Sequence, residues 1–381
     1  MTAVPDFDVL IAGGGPAGLA AALCAERAGL RAAVVEPRVG PVDKACGEGV
    51  MPSGVAALRS LGVLPAGREL RGIRYLDGRH RAEARFRAPG RAAETAPPGS
   101  TRTATAAAAS ATATAPATAI PTATATGLGV RRTELHSALA ERVAAVGVER
   151  LTGRVEDVRQ YPDHIAAAGR TARWLIAADG LHSPLRRRLG LDLPPQTAAR
   201  YGLRRHFRVQ PWTDFVEVHW SPYGEAYVTP VAGDLVGVAV LSHHRRGYPE
   251  HLAAFPELLA TLAGHGAEPA TAVRGAGPLR QRVRTPRAGR VLLVGDAAGY
   301  VDALTGEGVA LALATAEAAV QCLAEGRPEA YPTRWAGATR RHRLLTEALV
   351  RTTRHPRTAR LVVPAARRFP ALFTAVVRAL Q

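Results

Sequence analysis

A glycine-rich turn between a strand and a helix near the N-terminus constrains the fold most strongly. An apolar run at residues 8–12 leads directly into Gly13-x-Gly15-x-x-Gly18, a helix-like run follows, and Glu36 ends the next apolar run. In such a unit the glycines let the backbone approach a pyrophosphate, the helix N-terminus stabilises its negative charge, and the acid accepts the ribose hydroxyls. The combination predicts a dinucleotide-binding βαβ unit with an unphosphorylated ribose, whereas the glycine pattern alone also occurs by chance.

Length and cysteine usage narrow the class of protein. At 381 residues the chain exceeds the size at which a single core keeps growing, so we expect one large domain or two intimate ones. No signal peptide and no uninterrupted apolar run long enough to span a bilayer is visible, so we expect a soluble, cytoplasmic protein. The three cysteines, Cys24, Cys46 and Cys322, have no metal-like spacing and predict neither a disulfide framework nor a metal site.

The net charge of +17 and the pI near 11 permit binding to nucleic acid or to an anionic membrane. Lys44 is the only lysine, and the arginines are spread through a chain rich in Ala, Gly and Pro. With few aromatic residues and no nucleic-acid-binding motif, we predict no nucleic-acid partner. Membrane contact through the basic C-terminal region, residues 367–373, is an alternative, but we expect the C-terminal helices to cap the cofactor domain.

Composition and periodicity divide the chain into interleaved segments. Residues 92–126 are almost wholly Ala, Thr, Pro and Ser, which predicts a surface insertion, with a linker between domains as the alternative. Residues 130–146 have the apolar spacing of an amphipathic helix, and residues 215–220 alternate as in an antiparallel sheet. The predicted organisation is a cofactor domain in three parts (1–71, 127–198 and 286–330), substrate-domain strands (72–91), a substrate-domain sheet (199–285), the insertion (92–126) and C-terminal helices (331–381).

Three ordered motifs carry a family resemblance. The opening glycine turn, Asp179-Gly180 after an apolar strand, and the Gly-Asp-Ala-Ala-Gly run at 295–299 resemble the signatures of the FAD-dependent aromatic-hydroxylase superfamily. Within it, the Lys-Ala-Cys-Gly-Glu-Gly run at 44–49 and the Thr-Gly-Glu-Gly run at 305–308 resemble the geranylgeranyl-reductase-like branch. The resemblance spans nearly the whole chain except the Ala/Thr tract and the C-terminal helices.

The resemblance implies a fold and its cofactors. The fold is α/β, with a Rossmann-like FAD-binding domain of the glutathione-reductase-2 type, an interleaved antiparallel-sheet substrate domain and C-terminal helices. FAD is the implied cofactor, and NAD(P)H is a transient reductant on a surface groove, because no second glycine motif is visible.

The resemblance also assigns cofactor-binding residues. Asp296 would accept a hydrogen bond from the ribityl chain, and the N–H groups around Gly306 and Gly308 would face the flavin pyrimidine; the alternative is a helix cap and a turn. Arg132 would reach the FAD phosphates or flank the isoalloxazine, with Arg131 as the alternative. The predicted cofactor-binding set is Gly13, Gly15, Pro16, Ala17, Gly18, Glu36, Arg132, Val155, Asp179, Gly295, Asp296, Gly306 and Gly308.

Four residues keep two interpretations each. The Val155 backbone would hold adenine, or Val155 is a simple strand residue. Asp179 would contact FAD and contribute to the use of the nicotinamide cofactor, or it only fixes a strand-to-helix turn. Glu48 and Glu307 are either pocket acids or acceptors that stabilise their loops.

The predicted catalytic residues are Cys46, Lys44 and Tyr227. Cys46, expected beside the isoalloxazine and next to Lys44, is a polarised thiol that gives a proton or shapes the pocket, or a small buried residue without chemistry. Tyr227 lies where the reductase branch carries an aromatic box that faces the substrate, although Tyr227 and Thr229 replace the Trp and Phe of that box. The alternative is that this strand packs its rings in a core.

The predicted activity is NAD(P)H-dependent monooxygenation, in secondary metabolism, of an apolar small molecule through a flavin C4a-hydroperoxide formed with molecular oxygen. The Tyr227 strand, interpreted as free of charged residues, suggests the apolar substrate. The alternative is a flavin-dependent reductase of prenyl or alkene double bonds, and a third is a non-catalytic flavin-binding or membrane-surface protein. A halogenase is not expected. The flavin-dependent halogenases that share this fold need a lysine between flavin and substrate, well after the dinucleotide motif, and Lys44 lies in a different loop.

Overall fold

The computed structural model describes residues 4–86, 126–194 and 199–379. The Ala/Thr tract predicted as an insertion therefore lies outside the described residues, except for Thr126. The strands, in chain order, are β1 (Phe7–Ala12), β2 (Ala32–Glu36), β3 (Gly49–Val50), β4 (Arg68–Leu70), β5 (Gly72–Leu76), β6 (Arg81–Arg85), β7 (Gly127–Gly129), β8 (Glu149–Thr152), β9 (Val158–Gln160), β10 (Ile165–Ala167), β11 (Arg170–Ala177), β12 (Asp192–Leu193), β13 (Tyr201–Arg208), β14 (Phe215–Ser221), β15 (Gly224–Ala232), β16 (Leu235–Ser242), β17 (Glu268–Pro269), β18 (Arg274–Ala276), β19 (Arg282–Val283), β20 (Arg287–Ala288) and β21 (Val291–Leu293).

Helices account for most of the remaining regular structure. They are α1 (Pro16–Arg27), α2 (Pro52–Ser60), α3 (Arg132–Ala145), α4 (Pro184–Arg188), α5 (Tyr248–Leu252), α6 (Pro256–Gly264), α7 (Gly308–Ala324), α8 (Tyr331–Thr353), α9 (Pro356–Ala359), α10 (Val362–Arg368) and α11 (Pro370–Ala379). Short 3-10 helices occur at Gly295–Ala298 and Pro328–Ala330.

The first large sheet is built around five parallel strands in the order β8-β2-β1-β11-β21, with β20 antiparallel at one edge. Successive residues of β1 face opposite sides, as the strand period requires. Val9 and Ile11 join a core formed with α1, α3 and α7, whereas Leu10 and Ala12 pack with β10 and α4. Burial on both faces explains why β1 reads as a continuous apolar run.

The second large sheet has the order β17-β13-β16-β15-β14-β5-β6, with β18 also paired to β13. Most neighbours are antiparallel, but β5 and β14 run parallel, with Gly72 opposite Phe215. A small sheet of β3, β7 and β4 lies against this sheet. The contact is close, because a Cβ at Gly129 would lie 1.8 Å from the carbonyl oxygen of Pro230.

The C-terminal helices depart from the expectation that they cap the cofactor domain. Helix α8 does pack on α7, but α10 and α11 pack on β5 and β6 of the second sheet. Phe373 and Val377, one turn apart on α11, are buried with Trp220 and Tyr75, and the Phe373 and Tyr75 ring centroids are 4.7 Å apart. This i, i+4 apolar pair therefore packs on the second large sheet. Within the described ranges, every helix is too short or too polar to cross a membrane.

Candidate cofactor and substrate site

A cavity of about 420 Å³ is lined by residues of both large sheets, the loop at 44–49, the start of α7 and helix α11. Twelve of the sequence-predicted residues line it, namely Gly13, Gly15, Pro16, Ala17, Lys44, Cys46, Arg132, Asp179, Tyr227, Asp296, Gly306 and Gly308. Four predicted residues lie elsewhere: Gly18, Glu36, Val155 and Gly295. The motifs far apart in sequence therefore meet around one space.

The opening turn requires glycine for steric reasons. Gly13 has a φ of +108°, and a Cβ there would lie 2.5 Å from the carbonyl oxygen of Ala178. A Cβ at Gly18 would lie 1.8 Å from the carbonyl oxygen of Gly13. Gly15 precedes Pro16 at the start of α1, and no side chain of the described residues caps this helix. The first N–H groups of α1 thus open into the cavity and favour an anion there.

Arg132 provides a positive charge beside these N–H groups. Its side chain is buried, and its Nη1 has no hydrogen-bond partner within the described residues. Its Nη2 lies 4.0 Å from the position of a Cβ on Gly15. Burial lowers the pKa of Arg132. A buried, unpaired guanidinium nitrogen is costly without an anion, so this site fits the pyrophosphate of FAD. Arg131 directly precedes α3, does not cap it with its side chain and does not line the cavity.

Glu36 is hydrogen-bonded to the glycine turn and does not line the cavity. Its Oε2 accepts a hydrogen bond from the Gly14 N–H at 2.7 Å, and its Oε1 accepts one from Arg38 Nε at 2.6 Å. Burial acts to raise the pKa of Glu36, but these hydrogen bonds outweigh it and lower the pKa. Arg38, which motif analysis missed, lines the cavity in place of Glu36. Contact between Glu36 and a ribose stays a prediction.

Asp296 lies inside the short 3-10 helix Gly295–Ala298 and is not a helix cap. Its carboxylate lines the cavity and accepts a hydrogen bond from Lys44 Nζ at 3.4 Å. Arg186, which is fully buried, donates to the carbonyl oxygens of Asp296 at 3.3 Å and Ala297 at 3.2 Å. Sequence analysis missed Arg186; its only signal is an arginine run after Ser183-Pro184.

Asp179 fixes a turn and also lines the cavity, while its contact with FAD stays a prediction. Its Oδ2 accepts a hydrogen bond from the Leu185 N–H at 3.1 Å and so fixes the turn into α4. Its Oδ1 is buried without a partner in the described part of the chain, and the residue lines the cavity. Burial raises the pKa of Asp179. Val155, by contrast, lies in the loop between β8 and β9, so its assignment to a strand is wrong, and it packs in the core.

The loop at 44–49 does not activate its cysteine as expected. Burial, followed by the nearby Glu48 carboxylate, raises the pKa of the Cys46 thiol. The Lys44 ammonium lies by Asp296, so it is engaged away from the thiol. The expected polarisation of Cys46 by Lys44 is therefore wrong, and the thiol stays protonated at neutral pH.

Glu48 and Glu307 both bond to neighbouring elements. Glu48 is buried, accepts a hydrogen bond from the Arg132 N–H at 2.9 Å and lies 2.7 Å from His206 Nε2 on β13. Its φ of +59° places it in the left-handed region. Glu307, at the start of α7, pairs with His342 on α8. Both carboxylates thus stabilise their loops, although Glu48 also lines the cavity.

Much of the cavity wall is apolar, and three tyrosines also form part of it. The Tyr227 hydroxyl donates to the Leu304 carbonyl oxygen at 2.9 Å, and its ring belongs both to the cavity wall and to the core. Tyr75 and Tyr300 also line the cavity, and burial raises the pKa of all three, so they are neutral. The apolar lining includes Ile73, Val216, Val218, Leu241, Leu279, Leu304 and Val377. No sequence motif marks Tyr75 or Tyr300.

The strand that carries Tyr227 is not free of charge, which corrects the sequence interpretation. Glu225 lies on β15, is buried, and pairs with Arg200. The Nε of Arg200 lies 3.6 Å from a carboxylate oxygen of Asp302. Arg200 is therefore shared between two carboxylates, and none of these three residues lines the cavity. An apolar substrate is therefore indicated by the lining residues and not by the composition of β15.

Comparison with known proteins places this site in a family. The profile of the family described as "FAD binding domain" matches residues 6–353. The chain is 29% identical to a menaquinone reductase of Mycolicibacterium smegmatis, covering 98% of this chain and 91% of that protein. It is also 29% identical to a menaquinone reductase of Mycobacterium tuberculosis, covering 83% of this chain and 76% of that protein.

Solved structures share the fold. The flavin-dependent brominase Bmp2 is 16% identical with a TM-score of 0.77, covering 98% of this chain and 93% of its own. A geranylgeranyl bacteriochlorophyll reductase-like protein from Thermoplasma acidophilum is 19% identical with a TM-score of 0.70, covering 94% and 90%. The family match confirms the predicted superfamily, and the solved structures confirm the α/β fold class.

Proposed function

This chain belongs to the FAD binding domain family and is an FAD-dependent oxidoreductase; from that premise we propose that it saturates a carbon–carbon double bond of an apolar prenylated quinone, with NAD(P)H as the reductant. The observation that carries the proposal is the likeness, over nearly the full chain, to proteins named menaquinone reductase. Sequence motifs alone favour monooxygenation, which becomes the competing activity here.

The residues around the cavity divide into a cofactor end and a substrate end. At the cofactor end, the N-terminus of α1 and the Arg132 guanidinium would hold the pyrophosphate of FAD. The start of α7 at Gly308 and the carboxylate of Asp296 would lie along its other half. When bound, FAD supplies the chemistry that accepts hydride from NAD(P)H and passes it to the substrate.

The apolar end supplies binding and water exclusion. Ile73, Val218 and Leu241 present side chains suited to an isoprenoid chain, which offers no group for hydrogen bonding. Exclusion of water strengthens the electrostatic interactions inside the site and suppresses side reactions. Three neutral tyrosines add polarisable surface without adding charge.

Reduction of an alkene also needs a proton, and Cys46 is the group that we propose to deliver it. Hydride goes to one carbon and a proton to the other, so one NAD(P)H and one proton are consumed for each double bond. The half-buried Cys46 thiol is protonated and lines the cavity. Tyr227 is less suited to this role, because its hydroxyl proton is directed to the Leu304 carbonyl oxygen.

Anaerobic turnover followed by mass spectrometry tests the proposal. FAD-loaded protein is incubated with NADH or NADPH and a menaquinone, and the product is then exposed to air, which returns any quinol to the quinone. A lasting gain of two hydrogens supports reduction of a side-chain double bond. A gain that disappears in air points to the quinone ring, and a gain of one oxygen in aerobic reactions points to monooxygenation. Without quinone-dependent NAD(P)H oxidation, a flavin-binding role without turnover is left.

A further inference from the structure

The C-terminal helices carry a surface that the proposed reaction does not use. Three large apolar side chains at and near α10 and α11 are exposed, namely Leu361 (61%), Phe369 (58%) and Leu372 (64%). Three exposed apolar side chains within residues 361–372 differ from the single ones common on soluble proteins. We call this set, with the arginines around it, the C-terminal surface.

Charge is concentrated at the same place. Between Arg351 and Arg378 the sequence has seven arginines and no acidic residue, although the whole chain has 32 Asp and Glu. Arginines are spread along the chain, but here they lack the acids that offset them elsewhere. In the described part of the chain, only Arg351 of these seven forms an ion pair, with Glu347 at 3.3 Å. The C-terminal surface therefore combines apolar side chains with a strong positive field.

Helix α11 connects this surface to the cavity. Val376 and Val377 line the cavity, whereas Leu372 is exposed on the same helix. Phe373 packs on Tyr75, which also lines the cavity. A single helix of ten residues thus separates the C-terminal surface from the substrate end of the site.

We propose that the C-terminal surface docks on an anionic lipid bilayer and that an apolar substrate enters the cavity from the bilayer past α11. Arginines flanking Phe and Leu side chains are typical of helices that lie in the membrane interface, where apolar groups enter the lipid and cations meet anionic headgroups. Nucleic acid would satisfy the arginines but not the exposed Phe369 and Leu372. The docking part is independent of the proposed function; the entry of substrate rests on it.

Vesicle flotation tests docking without any catalysis. FAD-loaded full-length protein is mixed with vesicles of phosphatidylcholine, alone or with phosphatidylglycerol, and the floating fraction is measured at low and high salt. We expect binding to the anionic vesicles, much weaker binding to the neutral ones, and loss of binding in high salt.

Paired variants separate the two contributions. The Arg367→Gln/Arg368→Gln and Phe369→Ser/Leu372→Ser pairs should each weaken partitioning on the order of tenfold or more. The controls are Arg150→Gln/Arg159→Gln and Leu64→Ser, which change exposed residues outside the C-terminal surface and should bind as the unchanged protein does. Circular dichroism of each variant verifies the fold.

Three outcomes would overturn docking: no binding to anionic vesicles, equal loss in the control variants, or binding to a DNA duplex instead of vesicles. For substrate entry, Phe369→Ser/Leu372→Ser should slow reduction of quinone presented in vesicles but not in detergent. An equal effect in both would overturn that step. If flotation succeeds and no quinone is reduced, the proposed function fails while docking stands.

Discussion

Replacement of Glu48 by glycine measures how much one side chain contributes to the site. Glu48 is a buried acid in the left-handed region, where a residue other than glycine costs about 1–2 kcal/mol. Glycine removes that cost but stabilises the unfolded chain by about 0.4–1 kcal/mol. The backbone term alone therefore predicts a gain in stability of between zero and about 1.6 kcal/mol.

The side-chain term acts in the opposite direction and is larger. Loss of the carboxylate leaves the Arg132 N–H and the His206 ring without their partner, and removes a charge 3.7 Å from Arg204 Nη2. Removing one partner of a buried charged pair costs about 3–5 kcal/mol. We therefore expect Glu48→Gly to lower the free energy of unfolding by about 1.4–5 kcal/mol, after the backbone gain.

Ala168 provides a matched control for the backbone term. It is the other described residue besides glycine with a positive φ, at +50°, and its methyl group is exposed. Ala168→Gly should change the free energy of unfolding by between zero and about 1.6 kcal/mol in the stabilising direction. Urea unfolding of both variants, followed by tryptophan fluorescence, gives the comparison. If Glu48→Gly proved as stable as Ala168→Gly, the hydrogen-bonded role assigned to Glu48 would be refuted.

The remaining predictions concern the cofactor, the chemistry and the insertion. Arg132→Met should weaken FAD binding about 10- to 100-fold, by loss of a charge-assisted hydrogen bond, without lowering the stability of the flavin-free protein; isothermal titration and thermal melts measure both. Cys46→Ala should keep its FAD and its reduction by NAD(P)H but slow product formation about 100-fold or more, and full turnover would exclude the thiol as proton donor. Because burial raises the pKa of Cys24 to about 11 and also raises those of Cys46 and Cys322, iodoacetamide at pH 8 should label the native protein far more slowly than the unfolded one. Replacement of residues 88–125 by a linker of about six residues should preserve flavin content. A short linker is sufficient because the two ends lie close together: a Cβ at Gly127 would lie 2.9 Å from the Phe86 ring. A colourless product would contradict this prediction.

The sequence predicts the parts of the fold that depend on neighbouring residues. The apolar run before Gly13 forms β1, and the predicted helix at 130–146 is α3, at Arg132–Ala145. The steric demand at Gly18 is local, because a Cβ there would clash with the carbonyl oxygen of Gly13 in the same turn, whereas the clash at Gly13 is with Ala178 from a distant part of the chain. Motif spacing therefore identifies the cofactor end of the cavity well.

Contacts between distant segments are not predictable in this way. Arg186 bonds to a carbonyl oxygen 111 residues later, and Tyr75 meets Phe373 across nearly 300 positions of sequence. The position of α10 and α11 depends on a groove that exists only once the second sheet has formed. The pKa of Cys46 is a second example. The sequence places Lys44 nearby, which suggests a lowered pKa, but burial in the folded protein raises it.

The most direct test of the central claim is a comparison of FAD with FMN in equilibrium titrations of the flavin-free protein. We propose that the pyrophosphate lies between α1 and Arg132, so FAD should bind with a stoichiometry of one per chain. FMN, which lacks the second phosphate and the adenosine, should bind at least about tenfold more weakly. Equal affinity for both flavins, or no flavin binding at all, would contradict the account.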